Sequence, residues 1–214
     1  MNDIKLKGVI PEIFASRSDI TSDIWNTDVV IERGKTYLIE AASGTGKSSM
    51  CSYLYGQRGD YRGTILFDNE DVNTYSINRW CTIRQQHISI LFQDLRLFGE
   101  LTALENVLIK NRITHHRSLE QIKAWFDELG ISDKLDARID RMSYGQQQRV
   151  ALIRALCQPY DFILLDEPIS HLDDRNSDIM RDIVLREAKQ SGATVIATSI
   201  GKHMNIDYDK ILRL

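Results

Sequence analysis

AASGTGKSS, Ala41 to Ser49, is the stretch on which the reading of this chain turns. A short apolar run, Thr36 to Glu40 (TYLIE), precedes it and is rich enough in strand formers to be a buried strand. The run SSMCSYLY follows and can form a helix stopped by Gly56. Strand, glycine loop, Lys-Ser and helix, in that order, is the arrangement of a phosphate-binding loop. Gly44 and Gly46 permit backbone conformations closed to other residues, so successive amide N–H groups can point inward over Ala42, Ser43, Gly44, Thr45, Gly46 and on to Ser49. A helix starting near Lys47 adds its positive dipole end to that concavity. Lys47 can reach terminal phosphates, and the Ser48 hydroxyl can ligate Mg²⁺. The pattern G-x-x-x-x-G-K-[ST] expects glycine where this chain has Ala41. Alanine is the smallest replacement, so a slightly tighter turn is expected and not a lost site. Taken alone, the stretch also fits a Gly-rich connection that binds nothing.

The chain has 214 residues, enough to bury a proper core in one large domain or two small ones. With 43% hydrophobic and 27% charged residues it has the composition of a soluble globular protein. A net charge of −3 argues against a nucleic-acid binder held by bulk charge, so no nucleic-acid partner is expected. MNDIKLKGVIPE has no apolar stretch after its positive charges, unlike a signal peptide, and no run approaches the length of a membrane span. The expected location is the cytoplasm. Cys51, Cys81 and Cys157 show no metal or redox spacing and read as free thiols in a reducing compartment.

Along the chain, strands are expected at Ile4–Ile10, Trp25–Ile31 and Thr36–Ala41, with a polar loop, IPEIFASRSDITSD, between the first two. Phe14 is that loop's large aromatic. GQRGDYRG is a turn-rich break, Thr64–Phe67 an edge strand, Asn78–Gln86 a short helix and Ile88–Phe92 a buried strand. From there to about Pro159 the pattern is helical. In SLEQIKAWFDELG, Ser118 and Gln121 form a capping box, Leu119, Ile122, Phe126 and Leu129 share one face, and Gly130 ends the helix. His115-His116 reads as a solvated pair. Strands return at Phe162–Leu165, Thr194–Thr198 and Lys210–Leu214, with a helix over about Ser177–Gln190. Strands alternating with helices give an α/β fold with a largely parallel sheet covered on both faces, and the helical middle has the look of an insertion.

Four further places carry chemistry. FILLDEP, Phe162–Pro168, is an apolar strand ending in two acids. Adjacent buried carboxylates are costly unless a cation or a task needs them, and ligands gather at the carboxyl ends of parallel strands. Asp166 there would hold Mg²⁺ through water, and Glu167 would polarise an attacking water as general base; the plain alternative is a strand end with solvated acids. MSYGQQQRVALIRALC, Met142–Cys157, opens a helix whose cap pairs Ser143 with Gln146. It is either a well-capped helix or a second anion site built on Ser143 and the Gly145 amide. Gln93 stands where a strand meets the helical insertion, where an amide can touch Mg²⁺ or water; taken alone it reads as a solvated glutamine. Asp173, in SHLDD, is a turn acid on its own terms.

Phosphate loop, Gln93, MSYGQ, FILLDEP and SHLDD occur in that order, with helical material between the second and third. The set closely resembles the ATP-binding cassette (ABC) ATPases over nearly the whole chain. MSYGQQQRVALIRAL followed by FILLDEP is similar to the family signature and Walker B. ISILFQDLRLFGELTALENV is similar to the cassettes of the lipoprotein-release, macrolide-export and cell-division type. The resemblance implies a P-loop NTPase core (1–93 and 159–214), a small antiparallel β subdomain and an inserted helical subdomain (94–158). It implies two cassettes, as a homodimer or a mixed pair, enclosing two ATP molecules with Mg²⁺. Each ATP would lie between the phosphate loop of one chain and Ser143, Tyr144, Gly145 and Gln146 of the other. Glu167 would activate water, Gln93 would sense the γ-phosphate and touch the metal beside Ser48 and Asp166, and Asp173 would couple the two sites. Phe14 is the candidate for stacking on adenine. Closure and opening would drive a separate integral-membrane permease from its cytoplasmic face.

Tyr144 stands where the family most often has glycine. A larger departure follows the strand Thr194–Thr198. Members usually carry a histidine there that contacts the γ-phosphate; here Ser199 holds that place, in ATSIGKHM. Either His203 substitutes through a rearranged loop or the switch histidine is absent. Absence is favoured, because four residues exceed one strand pleat. A rival reading follows, a clamp that closes on ATP and turns over little. A soluble DNA-repair or translation member is disfavoured, because this chain has neither a long coiled coil nor a second cassette.

Overall fold

The structure is a computed structural model and describes residues 1–17 and 19–214. Ser18, in the expected loop between the first two strands, lies outside the described residues. In chain order the elements are β1 (Asp3–Pro11), β2 (Asp28–Glu32), β3 (Thr36–Glu40), α1 (Lys47–Leu54), β4 (Tyr61–Phe67), β5 (Glu70–Asp71), α2 (Ile77–Gln86), β6 (Ile88–Leu91), α3 (Ala103–Thr114), α4 (Leu119–Glu128), α5 (Tyr144–Leu156), β7 (Phe162–Asp166), α6 (Asp174–Ser191), β8 (Thr194–Ser199) and β9 (Lys210–Arg213).

The main sheet runs β6-β7-β8-β3-β9, every neighbouring pair parallel. Its middle strands are apolar throughout because both faces are covered. In β7, Ile163 and Leu165 enter the core shared with α3–α6, while Phe162 and Leu164 enter the core shared with α1 and the second sheet. Each such side chain, fully buried, is worth about 1.5–3 kcal/mol over leaving it exposed. The second sheet is antiparallel, β2-β1-β4-β5. β2 alternates exposed and buried residues, as a sheet wet on one face should.

Three sequence expectations change. β4 is longer than Thr64–Phe67 and is no edge strand; it lies between β1 and β5. Gly63 makes this possible: at φ 87° it faces Gly8, whose carbonyl oxygen would be 2.3 Å from an added Cβ. β2 begins at Asp28, and Trp25 is instead a buried side chain in the turn before it. In α4 the capping box forms as expected, but Leu119 is exposed and Trp125 joins Ile122 and Phe126 inside.

The remaining helix ends follow local chemistry. Thr102 and Glu105 cap α3 reciprocally, and Gly192 at φ 60° closes α6. His115 and His116 are exposed. Cys51 and Cys157 are buried free thiols and Cys81 an exposed one. Among the described residues no helix is long and apolar enough to cross a membrane.

Candidate functional site

The parallel register sets the carboxyl ends of β3, β6 and β7 along one edge of the sheet, so Ala41, Phe92 and Glu167 begin three loops there. The loop after β3 turns through Gly44 at φ 83° and Gly46 at φ 96° and delivers α1 directly at Lys47. The Thr45 hydroxyl donates to the Ala42 carbonyl at 2.9 Å, which tightens the turn. Ala42, Ser43 and Gly44 are exposed, so the mouth of the loop is open.

Lys47 is only 6% exposed, and its ammonium lies against both strand-end acids. It pairs with Glu167 Oε1 and stands 3.5 Å from Asp166 Oδ1. One cation between two carboxylates offsets the cost of setting the buried Asp166 beside the half-buried Glu167. Asp166 is fixed further by Thr198, whose hydroxyl donates to Oδ1 at 2.7 Å while accepting from the Glu167 amide at 3.3 Å. Thr198 was missed from sequence, although FILLD and TVIAT laid side by side in parallel register would bring Asp166 and Thr198 level. Glu167 itself has a left-handed backbone, φ 50°. Such a conformation costs a residue with a side chain about 1–2 kcal/mol. Gln148, buried on α5, donates to the Glu167 carbonyl at 3.2 Å.

Ser48 and Gln93 meet across a cleft of about 420 Å³ that Cys51, Asp94, Tyr144 and Asp166 also line. The Ser48 hydroxyl is 3.4 Å from Gln93 Oε1. Hydroxyl, amide oxygen and carboxylate are hard oxygen donors, the set Mg²⁺ takes, and Mg²⁺ needs only one or two carboxylates because phosphates and waters complete its shell. The residues therefore fit a magnesium nucleotide. Ser49 turns elsewhere, its hydroxyl accepting from Arg58 at 3.0 Å.

Beside the other flank of the loop, Phe14, Arg17, Trp25, Ser43, Gly44 and Thr45 line a hollow of about 270 Å³. Phe14 is half-buried at the end of a short 3-10 turn, with the Arg17 guanidinium 5.5 Å from its ring centre. Trp25, not anticipated from sequence, donates through Nε1 to the Thr45 carbonyl at 2.8 Å. A Cβ on Gly46 would lie 3.1 Å from Phe14 and 3.2 Å from Trp25, so the two aromatics brace the loop where only glycine fits.

Ser143 caps α5 reciprocally with Gln146, and it is exposed. Gly145 packs close to the His171 carbonyl and Leu172. Asp173 caps α6; both its oxygens are taken by Asn176, at 2.8 Å from the amide and 2.7 Å from the side chain. Ser143, Gly145, Gln146 and Asp173 make no hydrogen bond to this chain's own phosphate loop among the described residues.

Ser199 ends β8 beside the start of the loop: its carbonyl accepts from the Ala41 amide at 3.0 Å, and its buried hydroxyl donates to Lys202 O at 2.8 Å. His203 is exposed; its Nδ1 is 3.0 Å from the Met204 carbonyl and its ring packs edge-on to Tyr208.

The family model described as ABC transporter matches residues 24–170. The chain is 30% identical over 190 residues to the macrolide export ATP-binding/permease protein MacB of Shewanella sp. (strain ANA-3), covering 86% of this chain and 28% of that protein. It spans 33% of the corresponding protein of Vibrio parahaemolyticus, so it matches about a third or less of these relatives' length. The Escherichia coli (strain K12) protein YbbA, an uncharacterized ABC transporter ATP-binding protein, is 29% identical over 196 residues, 90% of this chain and 86% of that one. These relatives agree with the likeness to macrolide-export cassettes. Among solved structures, the dimeric post-hydrolysis state of the ATP-binding cassette MJ0796 bound to ADP and Pi superposes with a TM-score of 0.78 at 27% identity, over 92% of this chain and 87% of that chain. With the family model spanning more than half of its residues, and with the fold of an ATP-binding cassette, the chain belongs to the ABC transporter family.

Proposed function

We propose that the chain is the ATP-binding and ATP-hydrolysing subunit of an ABC transporter, pairing with a second cassette around two ATP molecules to drive a separate membrane permease. The observation that carries this is the meeting of Lys47, Ser48, Gln93, Asp166 and Glu167 at one edge of the sheet. Residues 1–93 and 159–214 form the nucleotide-binding core in this reading, and 94–158 the helical subdomain. Ser48, Gln93 and, through water, Asp166 would hold Mg²⁺, whose charge would offset that of the phosphates. Lys47 turns from Glu167 to the phosphate oxygens. Glu167, so released, accepts the proton of the attacking water as the new P–O bond forms and the bond to ADP breaks. Phe14 and Trp25 flank the place where adenine would lie. Phe98, Ile109 and Ile113 leave an apolar face exposed, the kind of surface a partner covers. Lys110, Arg96 and Arg154 line one hollow with Phe98 and Ile109, a group of cations that suits a partner bringing a carboxylate.

The pairing is tested by Ser143→Arg, which puts bulk and charge at an exposed helix start and leaves the chain's own loop intact. ATP binding to the monomer is expected to persist, while MgATP-driven dimers disappear in light scattering. Normal dimers would reduce MSYGQ to a helix cap.

The clamp reading is favoured by Ser199, whose hydroxyl is occupied by Lys202 O and carries no positive charge. Loss of one preorganised donor typically costs about 10²–10³-fold in turnover. Ser199 borders a hollow of about 290 Å³ with Ala41, Ala42 and Gly201, so a larger side chain has room. Ser199→His is expected to raise kcat by about tenfold or more with little change in KM, and His203→Ala to do little. An inactive His203→Ala with a neutral Ser199→His, in a steady-state phosphate-release assay, would make His203 the switch.

A further inference from the structure

Helix α5 holds this chain's own catalytic edge as well as presenting its cap outward. Tyr144, its first residue, donates through its hydroxyl to the Gln93 carbonyl at 2.7 Å. Arg154, near its last turn, donates to the Leu95 carbonyl and, at 2.6 Å, to the Arg96 carbonyl. Leu95 and Arg96 are both left-handed, at φ 58° and 49°. Two consecutive residues with side chains in that region do not hold themselves there; the surroundings must impose it. Gln148, one turn after Tyr144 and so on the same face of the helix, holds the Glu167 carbonyl. The Tyr144 ring is braced edge-on against His171, with centres 4.4 Å apart.

From this geometry we infer that Tyr144 is a positioning residue for Gln93 of the same chain. The phenol pins the backbone from which the Gln93 side chain faces Ser48, a tether that glycine, the residue the resemblance leads one to expect there, has no atoms to make. The inference rests on reading Gln93 and Ser48 as facing MgATP. It gives α5 two tasks, one toward a partner at Ser143 and one toward its own site at Tyr144.

The test is Tyr144→Phe, which removes one oxygen and keeps the ring on His171. Two arms separate the tether from the wider reading. The first uses nucleotide-free protein and follows the Gln93 side-chain amide by NMR, identified by its loss in Gln93→Ala. Tyr144→Phe is expected to shift and broaden that signal. The second is a double-mutant cycle on steady-state hydrolysis. Tyr144→Phe is expected to lower kcat about tenfold, leave the KM for ATP within about twofold, and raise the Mg²⁺ concentration for half-maximal rate. In the Gln93→Ala background it should then change none of these. An unmoved amide signal overturns the tether. A moved signal with parental turnover, or effects that add to those of Gln93→Ala, overturns the positioning role. If the parent protein hydrolyses no ATP, the proposed activity falls, and the amide signal still decides whether Tyr144 holds Gln93.

Discussion

Glu167→Gln is expected to lower steady-state ATP hydrolysis by about 10²–10⁴-fold, the usual contribution of a general base, or about 3–5 kcal/mol of barrier. The substitution keeps shape and removes only basicity. Glutamine can still accept from Lys47 through its amide oxygen, and Asp166 still stands 3.5 Å from that ammonium. Thr198 and Gln148 bind main-chain atoms of residue 167, so they hold the loop equally well in the variant. ATP affinity should therefore persist, and the MgATP-bound dimer, unable to finish, should accumulate. Phosphate release and light scattering read the two halves separately. Parental hydrolysis by a protein that stays monomeric would remove Glu167 from the reaction.

Lys47→Ala is expected to abolish detectable ATP binding in calorimetry. The ammonium is the cation closest to the glycine loop's exit, and without it phosphate charge would face Asp166 and Glu167 directly. The same change leaves two adjacent carboxylates uncompensated. Breaking a buried pair costs about 3–5 kcal/mol, and less here because the cleft is open to water, so a lower Tm is expected as well. Lys47→Arg separates the effects: it keeps the charge between the acids, restoring most of the Tm, but its wide planar head fits a loop shaped for an ammonium poorly and should still bind ATP weakly. Unchanged affinity in Lys47→Ala would end the phosphate-loop reading.

Much of this was legible in the sequence because it is local. The glycine loop, the two capping boxes at Ser118 and Ser143, and the apolar runs of β6, β7 and β8 each follow from spacing within a dozen residues. What escaped was set by contacts distant in the chain. β4 extends back to Tyr61 only because Gly63 meets Gly8 across the sheet, and a turn-rich composition hides that. Trp25 read as a strand residue, because its partner, the Thr45 carbonyl, is a backbone atom with no signature of its own. Leu119 fitted the helical period but stays exposed on the first turn of α4, while Trp125 is buried in the core with the Arg117 guanidinium 5.2 Å from its ring centre. The pairing of Lys47 with Glu167, 120 residues on, needed the sheet order.

The left-handed backbone of Glu167 sets stability and activity against each other at a single position. Asparagine tolerates that conformation and glycine adopts it freely, so either would release up to about 1 kcal/mol of strain. Neither would strand Lys47, which keeps Asp166. Both would delete the carboxylate proposed as base. A library screened for thermal resistance alone would thus enrich Glu167→Asn and Glu167→Gly and collect cassettes that fold better and have stopped working. The proposed function alone gives a reason to keep the less comfortable residue in place.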